Sequence, residues 1–292
     1  MRGRGRWPCP FFSGKMIELK EVSFSYPSSA GPRRPVFQGL NLRVSRGRYA
    51  AMMGPNGSGK STLGKLVKGL LSPSSGEVRI DGRPLQGGEV SPRVGYIFSN
   101  PENQIVSSIV EEDVAFGLGN RGMDPALMSA RVEESLRMVG MAEYRTHSPH
   151  LLSGGQQQKV VIAGILAMEC EVLVLDEPTS MVDLRDRREI LDLFQRLHEG
   201  QGITLLHITH SFEEALQAQD FIYLENGRVS FFGPPEELLT SVPFAGDSNL
   251  QIPPLYQLIQ GLRERGHGIP PGIRSYAELK SFLLERGKAP RS

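Results

Sequence analysis

From Ile17 to Tyr26, and again from Val36 to Val44, apolar and polar side chains alternate, which predicts half-buried strands of an antiparallel sheet. The stretch between them, Pro27 to Pro35, is crowded with turn formers. Tyr49 to Met53 is different: it stays apolar and runs straight into Gly54, the pattern of a strand buried on both faces. Gly76 to Gly82 reads as a short strand with a turn, Val94 to Phe98 as another buried strand, and residues 125–147 as a mostly amphipathic helical region. Val172 to Leu175 and Ile203 to Thr209 are short apolar runs ending in polar residues. Buried parallel strands look like this when they deliver side chains at their C-terminal edge. Beyond about Pro234 the character changes. Leu255, Leu258, Ile259 and Leu262 recur at helical intervals, and Tyr276, Leu279, Phe282 and Leu283 share one face of a second predicted helix.

These elements divide the chain into a disordered tail over 1–15, one α/β domain over 16–235 and a helical extension over 236–292. Met16 opens the first strand directly and is a second plausible start of translation. Composition narrows the function classes. Lys and Arg number 33 against 32 Asp and Glu, so a net charge of +1 supplies no field that would recruit nucleic acid or acidic lipid. The longest apolar run, Val160 to Met168, falls short of the ~18 residues a spanning helix needs. Cys9 and Cys170 are far apart and lack metal-ligand spacing, which suits a reduced, cytoplasmic setting. The basic segment from Met1 is interrupted by Pro8, Pro10 and Gly14 and does not form the apolar stretch of a signal peptide.

Three short motifs carry the chemistry. Gly54-Pro55-Asn56-Gly57-Ser58-Gly59-Lys60-Ser61, followed by Thr62, is a phosphate loop between a predicted strand and a predicted helix. Its glycines let backbone N–H groups wrap phosphates, Lys60 is placed for the β/γ oxygens and Ser61 for Mg²⁺. Leu152-Ser153-Gly154-Gly155-Gln156 opens a helical run, so Ser153 and the amides of Gly154 and Gly155 stand at a helix N-terminus, where the dipole favours an anion. Leu175-Asp176-Glu177-Pro178 closes an apolar strand. Asp176 is the acidic partner of the loop serine around Mg²⁺, and Glu177 the general base for the attacking water.

With these residues in this order the chain resembles ATP-binding cassette (ABC) ATPases over residues 16 to about 235. The resemblance implies a P-loop NTPase of the α/β class: a RecA-like parallel sheet core, an N-terminal antiparallel β subdomain, a helical signature subdomain and a small C-terminal helical extension. It adds Tyr26 as the aromatic that stacks on adenine, Ser180-Met181-Val182-Asp183 as the D-loop and His210 as the switch histidine at the γ-phosphate. It also implies ATP and Mg²⁺ as cofactors and a head-to-tail pair, in which Ser153-Gly154-Gly155 of one subunit closes the site of the other.

A narrower resemblance is to the ATPase subunits of energy-coupling factor importers for vitamins or transition-metal ions. It rests on Asn100-Pro101-Glu102-Asn103-Gln104-Ile105-Val106, on Val110 to Gly117, on Pro178 to Asp183 and on the helical tail from Pro253 to Glu285. The partners it implies are a second ATPase, same or homologous, an integral membrane coupling subunit and a substrate-binding membrane subunit. It places the chain on the cytoplasmic face of the membrane, with no nucleic acid bound and no contact with the cargo. One position departs: Ser99 stands where the family commonly has a glutamine that contacts Mg²⁺ and water, and either Gln104 replaces it or hydrolysis at this site is slow. A soluble cassette ATPase acting on nucleic acid and a low-turnover, nucleotide-responsive assembly subunit are the competing readings.

Overall fold

The computed structural model describes residues 14–27, 34–235, 237, 254–270, 273 and 276–287. Its strands form two sheets. In the first, β1 (Lys15–Ser25), β2 (Pro35–Ser45), β4 (Ser75–Ile80) and β5 (Arg83–Pro84) lie in the order β2-β1-β4-β5. Burial alternates along most of β2 and the later part of β1, but Met16 to Leu19 are all buried, Glu18 included; Leu19 pairs with Leu42 on one side and Val78 on the other, and all three are buried. The tail expected over 1–15 lies outside the described residues except at its end, where Lys15 already belongs to β1. Most of the turn-rich segment before β2 lies outside them as well.

The second sheet carries β3 (Tyr49–Met53), β6 (Val94–Ile97), β7 (Val172–Asp176), β8 (Thr204–Ile208), β9 (Asp220–Glu225) and β10 (Arg228–Gly233) in the order β10-β9-β3-β8-β7-β6. From β9 through β6 the pairing is parallel. β9 turns into β10 through Asn226 and Gly227, whose φ angles of 49° and 71° are what a tight hairpin turn demands. β3, β6, β7 and β8 are buried at every position, as parallel strands covered on both faces should be.

Among the described residues before Gly233 the α-helices are α1 (Lys60–Lys68), α2 (Val110–Asn120), α3 (Pro125–Met138), α4 (Gly154–Ala167), α5 (Leu184–Gln201) and α6 (Phe212–Ala215). α1 lies against β7 so closely that a Cβ on Gly64 would stand 2.9 Å from Val174, and α4 against β6 so that one on Gly95 would stand 2.3 Å from Ile165. The helical region expected over 125–147 stops at Met138. Gly140 takes φ 72°, and only a short 3₁₀ turn follows at Ala142–Tyr144. Four charges tie the two sheets together: Arg46 and Arg93 each pair with both Asp81 and Glu171, at 2.5 to 2.9 Å.

The chain divides into two units, Met1–Phe232 and Gly233–Ser292. In the second, α7 (Pro254–Glu264) and α8 (Tyr276–Gly287) form as the periodicity predicts, but their packing faces are narrower. In α7 the buried seam is Leu255, Tyr256 and Ile259, while Leu258 is exposed. In α8 Leu279 is buried, whereas Tyr276 and Leu283 are exposed. Among the described residues no helix is long and apolar enough to cross a membrane.

Candidate active site

The C-terminal ends of four neighbouring parallel strands present the polar residues singled out above. β3 runs into Gly54, β8 into Thr209 and His210, β7 into Asp176 and Glu177, and β6 into Phe98 and Ser99. Met52, Ile208 and Asp176 share one register row, so the phosphate loop, the histidine and the carboxylate pair leave the sheet at the same level.

The loop is shaped by glycine. A Cβ on Gly54 would lie 1.9 Å from the Leu224 carbonyl, and one on Gly59 2.7 Å from the Phe37 ring, so neither position admits a side chain. Gly59 enters α1 at φ 105°, and no side chain caps the helix. The first amides of α1 therefore lack the partner that a Ser or Asp cap would supply, which is the construction of an anion site. The Ser58 hydroxyl is buried and has no hydrogen-bond partner. The Lys60 ammonium donates to the carbonyls of Gly54 and Pro55 at 2.9 and 3.0 Å. Burial pulls its pKa below the ordinary lysine value, against the opposing charges of Glu177 and Asp176.

Ser61 donates 2.9 Å to Asp176 Oδ1, which joins the start of α1 to the end of β7. Tyr96 donates 2.6 Å to the other oxygen, Oδ2. Burial first, then the charge and hydrogen bond of Asp176, push the Tyr96 phenol far up, so it remains a donor. Glu177 takes φ 53°, a left-handed conformation costly for a residue with a Cβ and characteristic of functional turns. Its amide donates 2.9 Å to the Ile208 carbonyl, and its carboxylate lies 2.9 Å from His210 Nε2. A carboxylate held beside an imidazole can orient a water and take its proton.

A metal ion fits this arrangement. Mg²⁺ takes one or two protein oxygens and completes its shell with phosphate and water, and Ser61 with Asp176 offers such a pair beside an uncapped glycine loop.

Not every expected residue meets this cluster. Tyr26 does: its hydroxyl bonds to Thr62 at 3.0 Å, its ring sets edge-on to Phe24, and it stays 43% exposed at the rim. The Ser153 segment does not. Ser153 and Gln156 cap α4 reciprocally at 3.2 and 2.9 Å, and a Cβ on Gly155 would collide with Asp186 at 2.0 Å. Among the described residues no hydrogen bond or ion pair joins Ser153, Gly154, Gly155 or Gln156 to the phosphate loop. Asp183 caps α5, accepting from the amides of Arg185 and Asp186 at 2.9 Å. The Gln104 carboxamide is used on β6, accepting from the Phe98 amide at 3.1 Å and donating to the Tyr96 carbonyl at 2.9 Å. It is not a free replacement for the glutamine absent at Ser99.

Sequence reasoning missed the support beneath the site. Glu214, 2% exposed, accepts from Thr179 at 2.7 Å, Thr209 at 2.5 Å and Arg187 at 2.7 Å, linking the turn after Glu177 to the residue before His210. His207 is wholly buried, 2.9 Å from the Tyr49 hydroxyl and 3.5 Å from Glu214.

Comparison with known proteins agrees with this geometry. The family model described as ABC transporter matches residues 37–180. The chain is 39% identical over 274 residues to an energy-coupling factor transporter ATP-binding protein EcfA1 of Clostridium novyi, covering 92% of this chain and 98% of that one. A protein of the same name from Symbiobacterium thermophilum is 42% identical over 277 residues, covering 92% and 96%. Among solved structures, cbiO1 from Clostridium perfringens, described as part of the ABC transporter complex cbiONQ, superposes with a TM-score of 0.71 at 31% identity, over 85% of this chain and 100% of that one. A dimeric post-hydrolysis state of the ATP-binding cassette MJ0796 with ADP and Pi gives 0.67 at 29%, over 75% and 99%.

Proposed function

The chain belongs to the ABC transporter ATPase family, among its energy-coupling factor ATP-binding proteins, and from that premise we propose how its residues divide the work of an ATP-driven importer. Lys60 and the backbone N–H groups of the Gly54 to Thr62 loop, all but that of Pro55, which has none, hold the triphosphate, Tyr26 stacks on the base, and Ser61 with Asp176 holds Mg²⁺. When bound, that ion neutralises phosphate charge as the terminal phosphoryl group departs. Glu177 orients and deprotonates the attacking water, and His210, 2.9 Å from it, faces the same phosphoryl group. The observation that carries this reading is the convergence of an uncapped glycine loop, the Ser61–Asp176 bond and the Glu177–His210 pair on one sheet edge.

The Ser153 to Gln156 segment completes the site of a second ATPase, same or homologous. Large apolar side chains are left in water next to it, Leu151 at 83%, Met181 at 61% and Leu184 at 73% exposure, as a surface awaiting a second subunit would leave them. The Asn100 to Val106 loop docks an integral membrane subunit, the helical extension helps to hold the ATPase pair, and the assembly sits on the cytoplasmic face. Cargo, a vitamin or transition-metal ion, is chosen by a separate membrane protein.

The deciding experiment compares the wild-type chain with Glu177→Gln for phosphate release and ATP-dependent dimerisation. Turnover should fall by about 10²–10⁴-fold, the range for a general base, while ATP stays bound and locks a dimer. Undiminished turnover in the variant would remove Glu177 from the chemistry. Failure of the variant to dimerise with ATP would remove the proposed sharing of sites.

A further inference from the structure

Asp176 is held at both oxygens, and the two holders come from different parts of the fold. Ser61 at the head of α1 takes Oδ1 at 2.9 Å, and Tyr96 on β6 takes Oδ2 at 2.6 Å. A serine that turns to a metal ion releases its carboxylate oxygen. The tyrosine need not, because it occupies the other oxygen. Tyr96 is itself fixed from several directions. It pairs in register with Val174 on β7, two residues before Asp176, and its ring lies 4.5 Å from that of Phe98. Its carbonyl accepts from Gln104, whose other carboxamide atom accepts from the Phe98 amide, so the loop beginning at Asn100 is stapled to the strand on either side of Ile97. From α4, the helix that Ser153 begins, buried Gln158 donates 3.3 Å to the Phe98 carbonyl. Ser99, by contrast, makes no side-chain hydrogen bond among the described residues.

We propose that Tyr96 is a positioning residue for hydrolysis, whose hydroxyl keeps the Asp176 carboxylate oriented toward the metal and, through Gln104, couples that orientation to the 100–106 loop. The proposal rests on the reading of Asp176 as a metal holder. It gives this chain a connection between loop and metal that does not pass through position 99, where Ser99 is too short to make it. Movement of the loop by a docked partner would be felt at Asp176 by way of the β6 backbone.

The test is Mn²⁺ binding to the full chain with ADP present, followed by electron paramagnetic resonance, for wild type, Tyr96→Phe, Gln104→Leu, the double variant and Asp176→Asn. Tyr96→Phe keeps the ring and removes only the hydroxyl. It should weaken Mn²⁺ about tenfold, as loss of a ligand's outer partner does, with metal-free ADP affinity and thermal midpoint unchanged. Gln104→Leu should weaken Mn²⁺ less, and should add nothing in the Tyr96→Phe background, because both act along one chain of contacts. An unchanged Mn²⁺ affinity in Tyr96→Phe, with Asp176→Asn still impaired, overturns the role of Tyr96 alone. Full additivity of Gln104→Leu and Tyr96→Phe overturns the coupling to the loop. If Asp176→Asn also binds Mn²⁺ normally, the reading of Asp176 falls, and the proposal with it.

Discussion

Helices α1 and α4 both begin on glycine-rich turns, yet the fold finishes them in opposite ways. At α1 nothing caps the first turn, Ser58 has a buried hydroxyl without a partner, and Lys60 bends back onto its own loop. At α4, Ser153 and Gln156 close a reciprocal box, and Gly155 is packed against Asp186. The α1 cap is Gly59, and a glycine cap falls only about a few tenths of a kcal/mol short of a serine or aspartate one, so the bare end of α1 is a site kept open at a small cost in stability. The capped end of α4 satisfies itself and has only an exposed Ser153 and Gly154 to offer. On the proposed reading the difference says which half acts first: the open α1 end would take a phosphate alone, whereas the α4 terminus would only add to a phosphate already held.

The largest effect should come from the open half. Replacing Lys60 with Ala removes the one cation that the loop encloses, and turnover should drop by about 10²–10³-fold, the scale of a lost charge-stabilising contact. Nucleotide binding by the lone subunit should weaken with it, measured by calorimetry with ADP. A Lys60→Ala chain that binds ADP as tightly as wild type would break the comparison, because the open end would not then be the nucleotide's primary hold.

A smaller and sharper effect should come from Ser153→Asp. Aspartate caps a helix as well as serine, so α4 and its melting temperature should be kept. A negative charge there would repel the phosphate of a second subunit, so ATP-dependent dimerisation and turnover should fall at least about tenfold, on the scale of one unfavourable charge contact. ADP binding by the single subunit should not change. If dimerisation and turnover survive Ser153→Asp, the α4 terminus is a capped helix start and nothing more.

These contrasts were only partly legible in the sequence. The strands β3, β7 and β8 could be read because each is a short apolar run that stops at a polar residue, and the glycines before Lys60 have few other uses. The capping of α4 could be read as a helix start, but the locking of Gln156 back onto Ser153 depends on rotamers that no spacing reveals. Tyr96 looked like one more apolar strand residue, since its hydroxyl acquires a meaning only when β6 pairs beside β7. Glu214 gathers partners from Thr179, Arg187 and Thr209, and no local pattern announces such a cluster. The α8 face failed for the reverse reason: helical periodicity fixes which side chains align, but not how much partner surface is available to cover them, and Tyr276 stays 58% exposed.

The smallest effect concerns what braces each half. α4 is tied to α5 by Lys159 with Asp186 and Glu189, the latter held below the usual carboxylate range by the hydrogen bond and charge of Lys159. The Lys159–Glu189 contact therefore keeps its charge in mild acid. The open half rests instead on buried His207, whose pKa burial drives down to about 4, against the pull of Glu214 and with Arg187 adding to the fall. Burial alone would raise Glu214, but the charge of His207 and the bonds from Thr209, Thr179 and Arg187 keep it below its ordinary value. In the unfolded chain a histidine takes its proton near pH 6.5, while the folded site refuses it. The unfolded state therefore binds more protons as the pH falls from about 6.5 toward 4, and stability declines across that window by at most about 1.4 kcal/mol per pH unit from this residue. Glu214 adds to the loss only below the carboxylate range, since its depressed pKa stabilises the fold at every pH above the unfolded value. Urea denaturation at pH 7.5 and 5.5 should show the decline in the wild type and a flatter response in His207→Gln, whose carboxamide can still hydrogen-bond with the Tyr49 hydroxyl but cannot titrate. An equal slope in both proteins would mean that acid acts elsewhere, and that the two halves are braced alike.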